Sequence, residues 1–278
     1  MSVFVQQNGT ISEFSNSESW VILSSIEQSI KRKIEAVGTP LKDWDIQINY
    51  GIKTGFNDAF IISTEKRDEI LSNCKTDDER TRTAELIRPI LRGRDIKRYG
   101  YNWANLWLIN THNGIKGKLE RIHIENYPAV KAHLDQYWDK ISKRADKGDT
   151  PYNLRNCAYL DLFFQPHICW KAVGKKLAFA LVEGGTFLTA PASFISAGKY
   201  NDLILTYLCS NIGTYFIYKN SDTTGAGDIM LNIQSLIKFP VPLIDTDMSS
   251  LTDEAKEDLV YSSYGFSKDE IRYIESQI

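Results

Sequence analysis

The feature that most limits how this chain can fold is its frequent change of hydrophobic period. Residues 44–50, WDIQINY, alternate polar and apolar as a strand does, and AFIIS (59–63) is a second strand-like stretch. Charged helical patterns follow over residues 64–73 and 77–86, and NLWLINTH (105–112) reads as a buried strand. Such alternation implies a mixed α/β (α+β) domain with mixed sheets and interleaved helices.

The rest of the chain keeps the same habit. A helix is expected through VILSSIEQSIKRKIEAVG (21–38), capped by Ser17 or Ser19, with Val21, Ile22, Ile26, Ile30 and Ile34 on one face and Gly38 as its stop. A second begins near Pro128 and places Val130, Leu134, Tyr137, Trp138 and Ile141 at helical spacing. HICWKAV (167–173), KLAFALV (176–182) and FLTAPASFIS (187–196) read as strands, followed by a helix over about residues 200–218. SDTTGAGD (221–228) reads as a glycine-rich link. In the last helical pattern, Ser267 and Glu270 have the spacing of a capping box. The expected organisation is a polar leader (1–19), one body (20–245) and an acidic helical tail (246–278).

At 278 residues the chain is long enough to bury a large core without disulfides. Its cysteines, Cys74, Cys157, Cys169 and Cys209, are widely spaced and form no C-x-x-C pair, and no secretory h-region is present, so a reducing, cytoplasmic setting is expected. No apolar run approaches the length of a spanning helix, and no membrane partner is expected. The net charge of -2 conceals an uneven distribution. Residues 80–121 carry ten Lys/Arg against three Asp/Glu, residues 140–176 carry eight against three, and residues 245–278 reverse this with nine acidic against three basic. A basic middle with an acidic tail suits a polyanionic partner, although solvated faces would give the same count.

Catalytic patterns are missing. H-E-x-x-H, G-x-x-x-x-G-K-[ST], G-x-G-x-x-G and G-x-S-x-G do not occur, and STEK (63–66) and SAGK (196–199) fit S-x-x-K without the companion motifs. His112, His123 and His133 lie too far apart to converge on a metal by spacing alone, and the acidic runs at 77–79 and 253–258 read as solvated helix ends. No metal or catalytic residue is assigned.

Three glycine-punctuated basic stretches remain. GIKTGFNDAFII (51–62) offers Lys53 and Thr54 between Gly51 and Gly55, with Asn57 just after, where a plain β-hairpin turn is the competing reading. LRGRDIKRYGYNW (91–103) sets Arg92, Arg94, Lys97 and Arg98 beside Tyr99, Tyr101 and Trp103, a mixture suited to phosphates and base edges. SKRADKGDTPYNLRNCAY (142–159) brings Lys143, Arg144, Lys147, Tyr152, Asn153 and Arg155 around a Gly/Pro turn.

Taken in order, GIKTGFNDAFII, IRPILRGRDIKRY, NLWLINTH, YPAVKAHLDQYWDKISKRADKGDTPYNLRNCAY and QPHICW resemble the C-terminal target-recognition region of TaqI-like adenine-specific DNA methyltransferases and type IIG restriction-modification enzymes. The resemblance runs from about Trp20 to the terminal SSYGFSKDEIRYIE. It implies a target-recognition-domain-like fold that selects a double-stranded DNA sequence for adenine-N6 methylation or cleavage by neighbouring methyltransferase and nuclease domains. The N-P-P-Y motif, the glycine-rich S-adenosylmethionine site and the D/E-x-K nuclease core of such enzymes are not recognisable here. The chain therefore reads as the non-catalytic recognition part of a larger enzyme, with no cofactor of its own; S-adenosylmethionine and Mg²⁺ are expected for the parent.

Because base-reading residues in this family change with the target, the candidate DNA contacts follow from charge and loop context alone. They are Lys53, Thr54 and Asn57; Arg92, Arg94 and Arg98; and Lys143, Arg144, Lys147 and Arg155. Arg94–Asp95 as a structural ion pair is the competing reading of one of them. Two rival functions stand beside DNA recognition: a protein-interaction module docking on the methyltransferase half of the parent, and an enzyme with degenerate motifs.

Overall fold

The computed structural model describes residues 23–278, so the polar leader and the proposed caps Ser17 and Ser19 lie outside the described residues. The described chain divides into two compact units.

One unit is built from residues up to Trp44 with 206–221 and 233–278, and is mainly helical. Its first helix among the described residues is Ser25–Val37, which starts later than the hydrophobic spacing predicts. The reason is local: Ser24 accepts a hydrogen bond from the Glu27 N–H while the Glu27 carboxylate accepts from the Ser24 N–H, a reciprocal cap that fixes the first turn. Ile30 and Ile34 form the buried face. Gly38 then lets strand β1 (Thr39–Pro40) pair with β15 (Pro240–Val241), because a Cβ at Gly38 would stand 2.5 Å from the Pro240 carbonyl.

The helix expected over 200–218 is two helices, Asn201–Cys209 and Asn211–Asn220, the first of which carries the chain into this unit. Ser210 breaks the run by capping the second through the Gly213 N–H at 3.0 Å. Two tail helices, Asp253–Tyr264 and Lys268–Ser276, complete the unit, and the expected Ser267/Glu270 capping box is present. Glu270 is nearly buried and accepts from Lys33 and Ser29, each at 2.7 Å, so the acidic tail is held to helix Ser25–Val37 by a charge pair.

The second unit comprises residues 45–205 and 222–232 and holds all three basic stretches. One antiparallel sheet has the order β10-β8-β12-β2, with β2 Gln47–Tyr50, β8 His167–Trp170, β10 Phe179–Val182 and β12 Ser193–Ser196. A mixed sheet has the order β11-β4-β7-β3, with β3 Ile61–Ser63, β4 Ile87–Leu91, β7 Leu106–Ile109 and β11 Phe187–Leu188, in which only β11 runs parallel to its neighbour. A hairpin of β5 (Ile96–Lys97) and β6 (Gly100–Tyr101) and a small sheet of β13 (Asp222–Thr223), β14 (Ile229–Met230) and β9 (Val173–Gly174) complete it.

Burial of continuous apolar runs explains the central strands. All four residues of β8 are buried, and Phe163, Phe187 and Phe194 pack together, with the first two rings stacked at 4.6 Å. Helices Thr64–Ser72, Asp77–Leu86 and Pro128–Asp135 also belong to this unit. The buried Glu79 carboxylate ties two of them by accepting the Lys75 and Ala129 N–H groups.

Three further expectations are corrected. β2 and β3, on either side of GIKTGFNDAFII, do not pair with each other: β2 pairs with β12 and β3 with β7, so the stretch is a crossover between two sheets and not a hairpin turn. The helix begun at Pro128 stops at Asp135 and resumes only as Trp138–Ile141. SDTTGAGD is no simple link but the turn of a hairpin, with Thr223 opposite Ile229.

The Glu270 pair is directly testable. Burial alone would raise its pKa, but the hydrogen bonds from Lys33, the Ser267 N–H and Ser29 outweigh burial and hold it at about 2. A carboxyl depressed from 4.5 to about 2 stabilises the fold above the unfolded value and loses that effect as pH falls from 4.5 towards 2. Glu270→Gln is expected to cost about 1–3 kcal/mol at neutral pH by leaving Lys33 unpaired, with the deficit against wild type shrinking in thermal melts below pH 4.5.

Candidate nucleic-acid interface

The first basic stretch is shaped by backbone contacts to residues 188–192. The Gly51 N–H donates to the Ala192 carbonyl at 2.8 Å, the Ile52 N–H to Leu188 at 2.6 Å, and the Ala190 N–H returns a bond to Ile52 at 3.0 Å. Gly51 is required at this approach, since a Cβ there would meet the Thr189 backbone at 2.6 Å. Thr54 is 2% exposed; its hydroxyl donates to Asn57 Oδ1 at 2.6 Å and accepts from the Phe56 N–H. Thr54 therefore builds the turn, while Lys53 and Asn57 face outward.

Arg144 joins this loop to the third. Its guanidinium donates to the carbonyls of Thr54, Asp146, Pro151 and Asn153, and lies 4.3 Å from the centre of the Phe60 ring. The residue is 7% exposed, and burial pulls its pKa down to about 10, which leaves it protonated at neutral pH. A cation so enclosed serves the loops' shape, and its donors point inward. Asn153, also buried, extends the tie by donating to the carbonyls of His112 and Ile122.

Around this core the other cations of the third stretch are exposed. Lys143 has no carboxylate against it among the described residues; Lys147 donates to the Ser142 carbonyl, and Arg155 pairs with Asp146 at 2.9 Å. Exposed pairs of this kind are worth little and exchange readily for another anion. Trp138 remains 44% exposed beside Tyr152, with ring centres 5.4 Å apart.

The second stretch hangs on the same 188–192 segment, because the Thr189 N–H donates to Leu91 at 2.9 Å. Arg92, and not Arg94, makes the ion pair with Asp95: Nε and Nη2 bind the two carboxylate oxygens at 3.0 and 2.8 Å, and the Arg92 N–H binds Oδ2 at 2.8 Å. Asp95 is 5% exposed; burial would raise its pKa, and the bonds from Arg92 outweigh it and hold the carboxyl below its ordinary value. Arg92 is thus half-buried and committed. Arg94 is exposed, Lys97 folds back on the Arg94 carbonyl, and Arg98 lies over the Tyr99 ring at 4.6 Å. Tyr99 takes a left-handed backbone, φ 60°, to close the β5–β6 turn.

The unit thus brings all three stretches into one framework, the first and third through Arg144, the first and second through residues 188–192. Sequence reasoning passed over a neighbouring concavity of about 870 Å³ whose wall includes Asn113, Lys116, Lys118, Arg121 and Asn156. Asn113 donates to Asp149 and Asn156 and so joins this wall to the third loop. Its cations lie on a turn with no spacing pattern to mark it.

Residues 88–241 match the family described as the TaqI-like C-terminal specificity domain, which is more than half of the chain. The chain belongs to that family. Among solved structures, this specificity domain is similar to part of the type IIL restriction-modification enzyme MmeI, solved in complex with DNA, with a TM-score of 0.57 at 12% identity over 86% of this chain and 36% of the other. It is also similar to part of the type IIG restriction endonuclease BpuSI, with a TM-score of 0.52 at 14% identity over 91% of this chain and 32% of the other. The specificity domain thus spans about a third of the length of either enzyme. The likeness establishes an α+β fold shared with parts of both. No curated protein matches the chain. Among the described residues no helix is long and apolar enough to cross a membrane.

The framework separates two kinds of arginine. Arg144→Ala removes the guanidinium donor from four carbonyls, of which Asn153 alone keeps a second donor, the Gly148 N–H, and is expected to destabilise the specificity domain by about 2–4 kcal/mol. Arg94→Ala, at an exposed position, is expected to change stability by less than about 0.5 kcal/mol. Denaturant titration of the two variants checks the contrast.

Proposed function

We propose that this specificity domain selects the double-stranded DNA sequence on which a restriction-modification enzyme acts, as the partner of that enzyme's methyltransferase and nuclease domains. The observation that carries this reading is the family match over residues 88–241, which contains the second and third basic stretches with their exposed cations. S-adenosylmethionine and Mg²⁺ would belong to the partner domains, and the setting would be the cytoplasm.

The contacts divide by chemistry. Lys53, Lys143 and Lys147 present compact charges suited to phosphates, whose neutralisation supplies salt-sensitive, sequence-independent affinity. Arg94, Arg98 and Arg155 carry planar forks able to bind a guanine edge in the major groove, each such contact being worth about 1–3 kcal/mol of discrimination. Asn57 offers the amide that pairs with adenine. Thr54, Arg92 and Arg144 hold these residues in place and do not themselves face the duplex. An enzyme that extrudes an adenine needs the flanking duplex held in register, and rigid loops on a shared frame supply that hold.

The test is selection of a duplex from a randomised pool by the purified protein. Enrichment of one sequence is expected, with binding that weakens steeply between low and physiological salt. Arg94→Ala is expected to lower affinity for the enriched duplex by about 1–3 kcal/mol and to relax preference at one or two positions. Lys143→Ala is expected to weaken all duplexes alike and to reduce the salt slope by about 0.9. Absence of binding to every duplex would refute the reading.

A further inference from the structure

We propose that a second basic strip, formed by Lys171, Lys175 and Lys176 with the glycine-rich tip of the β13–β14 hairpin, holds the sugar-phosphate backbone of the duplex beside the Arg92–Arg98 stretch. The inference rests on the DNA-recognition reading above and adds to it a site outside the three basic stretches.

Register places the parts together. β14 runs antiparallel to β9, with Ile229 opposite Gly174 and Met230 opposite Val173. Following β14 backwards past Ile229 and β9 forwards past Gly174 therefore leads to the same end of the ladder. Asp228 and the tip lie there on one strand, Lys175 and Lys176 on the other. The Leu231 N–H donates to the Ala172 carbonyl at 2.8 Å and fixes the other end. The tip is closed by the Thr224 N–H to the Asp228 carbonyl at 2.8 Å, the Gly227 N–H to Thr224 at 2.9 Å, and the Asp228 N–H to the Thr224 hydroxyl at 3.1 Å. Gly227 has φ +78°, and a Cβ at Gly225 or Gly227 would meet nothing within 4 Å, so this backbone is open to a close ligand.

Lys171 connects the strip to the second basic stretch. Its stem crosses Gly174, and its Cβ lies 3.1 Å from where a Cβ of Gly93 would stand. On the far side the Tyr99 N–H donates to the Phe179 carbonyl at 2.9 Å, which seats the β5–β6 turn against β10, just beyond Lys175 and Lys176. Exposed Arg94, Lys97, Arg98, Lys175 and Lys176 thus belong to one neighbourhood; Asp222 and Asp228 are the acidic side chains of the hairpin. Val173 and Met230, paired across the ladder, stay 47% and 42% exposed, so this small sheet shows its own chain an uncovered face.

The strip's chemistry favours phosphates over bases. Ammonium groups act as point charges and carry no fork for a base edge, and the tip supplies threonine hydroxyls and bare backbone. Its contribution should therefore be independent of sequence.

The test compares wild type with Lys175→Ala/Lys176→Ala in the full chain, on the duplex enriched from a randomised pool and on a scrambled duplex, across a salt series. Both positions are exposed, and an unchanged melt verifies the fold. Affinity is expected to fall by the same factor on both duplexes, with the salt slope reduced by about 0.9 for each phosphate that the variant no longer neutralises. Unchanged affinity and slope would overturn the strip while leaving the recognition reading intact, and a weakening confined to the enriched duplex would overturn its assignment to phosphates. Wild-type protein that binds neither duplex would overturn both readings.

Discussion

The arrangement of the basic loops depends on one buried cation. Arg144 gives its guanidinium to four backbone carbonyls from two separate stretches, and among the described residues only the Asn153 carbonyl has a second donor, the Gly148 N–H at 3.0 Å. Loop backbone has few partners of its own, so an irregular segment holds one conformation only where side chains supply its hydrogen bonds. Arg144 and Asn153 do this from within the third loop, and Thr54 does it from within the first.

That requirement explains why basic residues in adjacent positions have opposite fates. Lys143 points outward and Arg144 inward; Arg92 grips Asp95 while Arg94 faces solvent. Charge counting treats all four alike. The difference lies in whether a carboxylate or a group of carbonyls stands within reach, and only the packed chain decides that. A planar fork with five donors suits the inward task, since one lysine could not reach four acceptors in two loops.

The mixed α+β architecture was legible from periodicity because short, buried strands and charged helices leave strong local signals, as in HICW, LWLI and the Ser267/Glu270 cap. What failed to read was the partner of each strand. WDIQINY and AFIIS are close in sequence and lie in different sheets, a choice made by β12 and β7, both distant in sequence from the strands they pair with. Helix breaks at Ser210 and after Asp135 were hidden for a related reason: apolar spacing continued through residues whose local hydrogen bonds favour a stop. In the interface, the three basic stretches could be found as composition, whereas Arg144, Thr54 and Arg92 as frame residues and Lys175–Lys176 as neighbours of the second stretch required tertiary contacts and register.

A frame of this kind separates the residues that can be exchanged from those that cannot. Backbone-directed ties such as Arg144 to its carbonyls do not depend on the outward side chains of the same loops. Lys53, Arg94 and Lys143 can therefore be exchanged without disturbing the turns that carry them, whereas Thr54 with its acceptor Asn57, Arg92, Arg144 and Asn153 cannot. Stability and outward-facing charge then reside in different residues of the same short stretches. In each of the stretches 92–98 and 143–155 one inward cation, Arg92 or Arg144, holds the backbone of a segment whose other cations, Arg94, Lys97 and Arg98 or Lys143, Lys147 and Arg155, stay exposed.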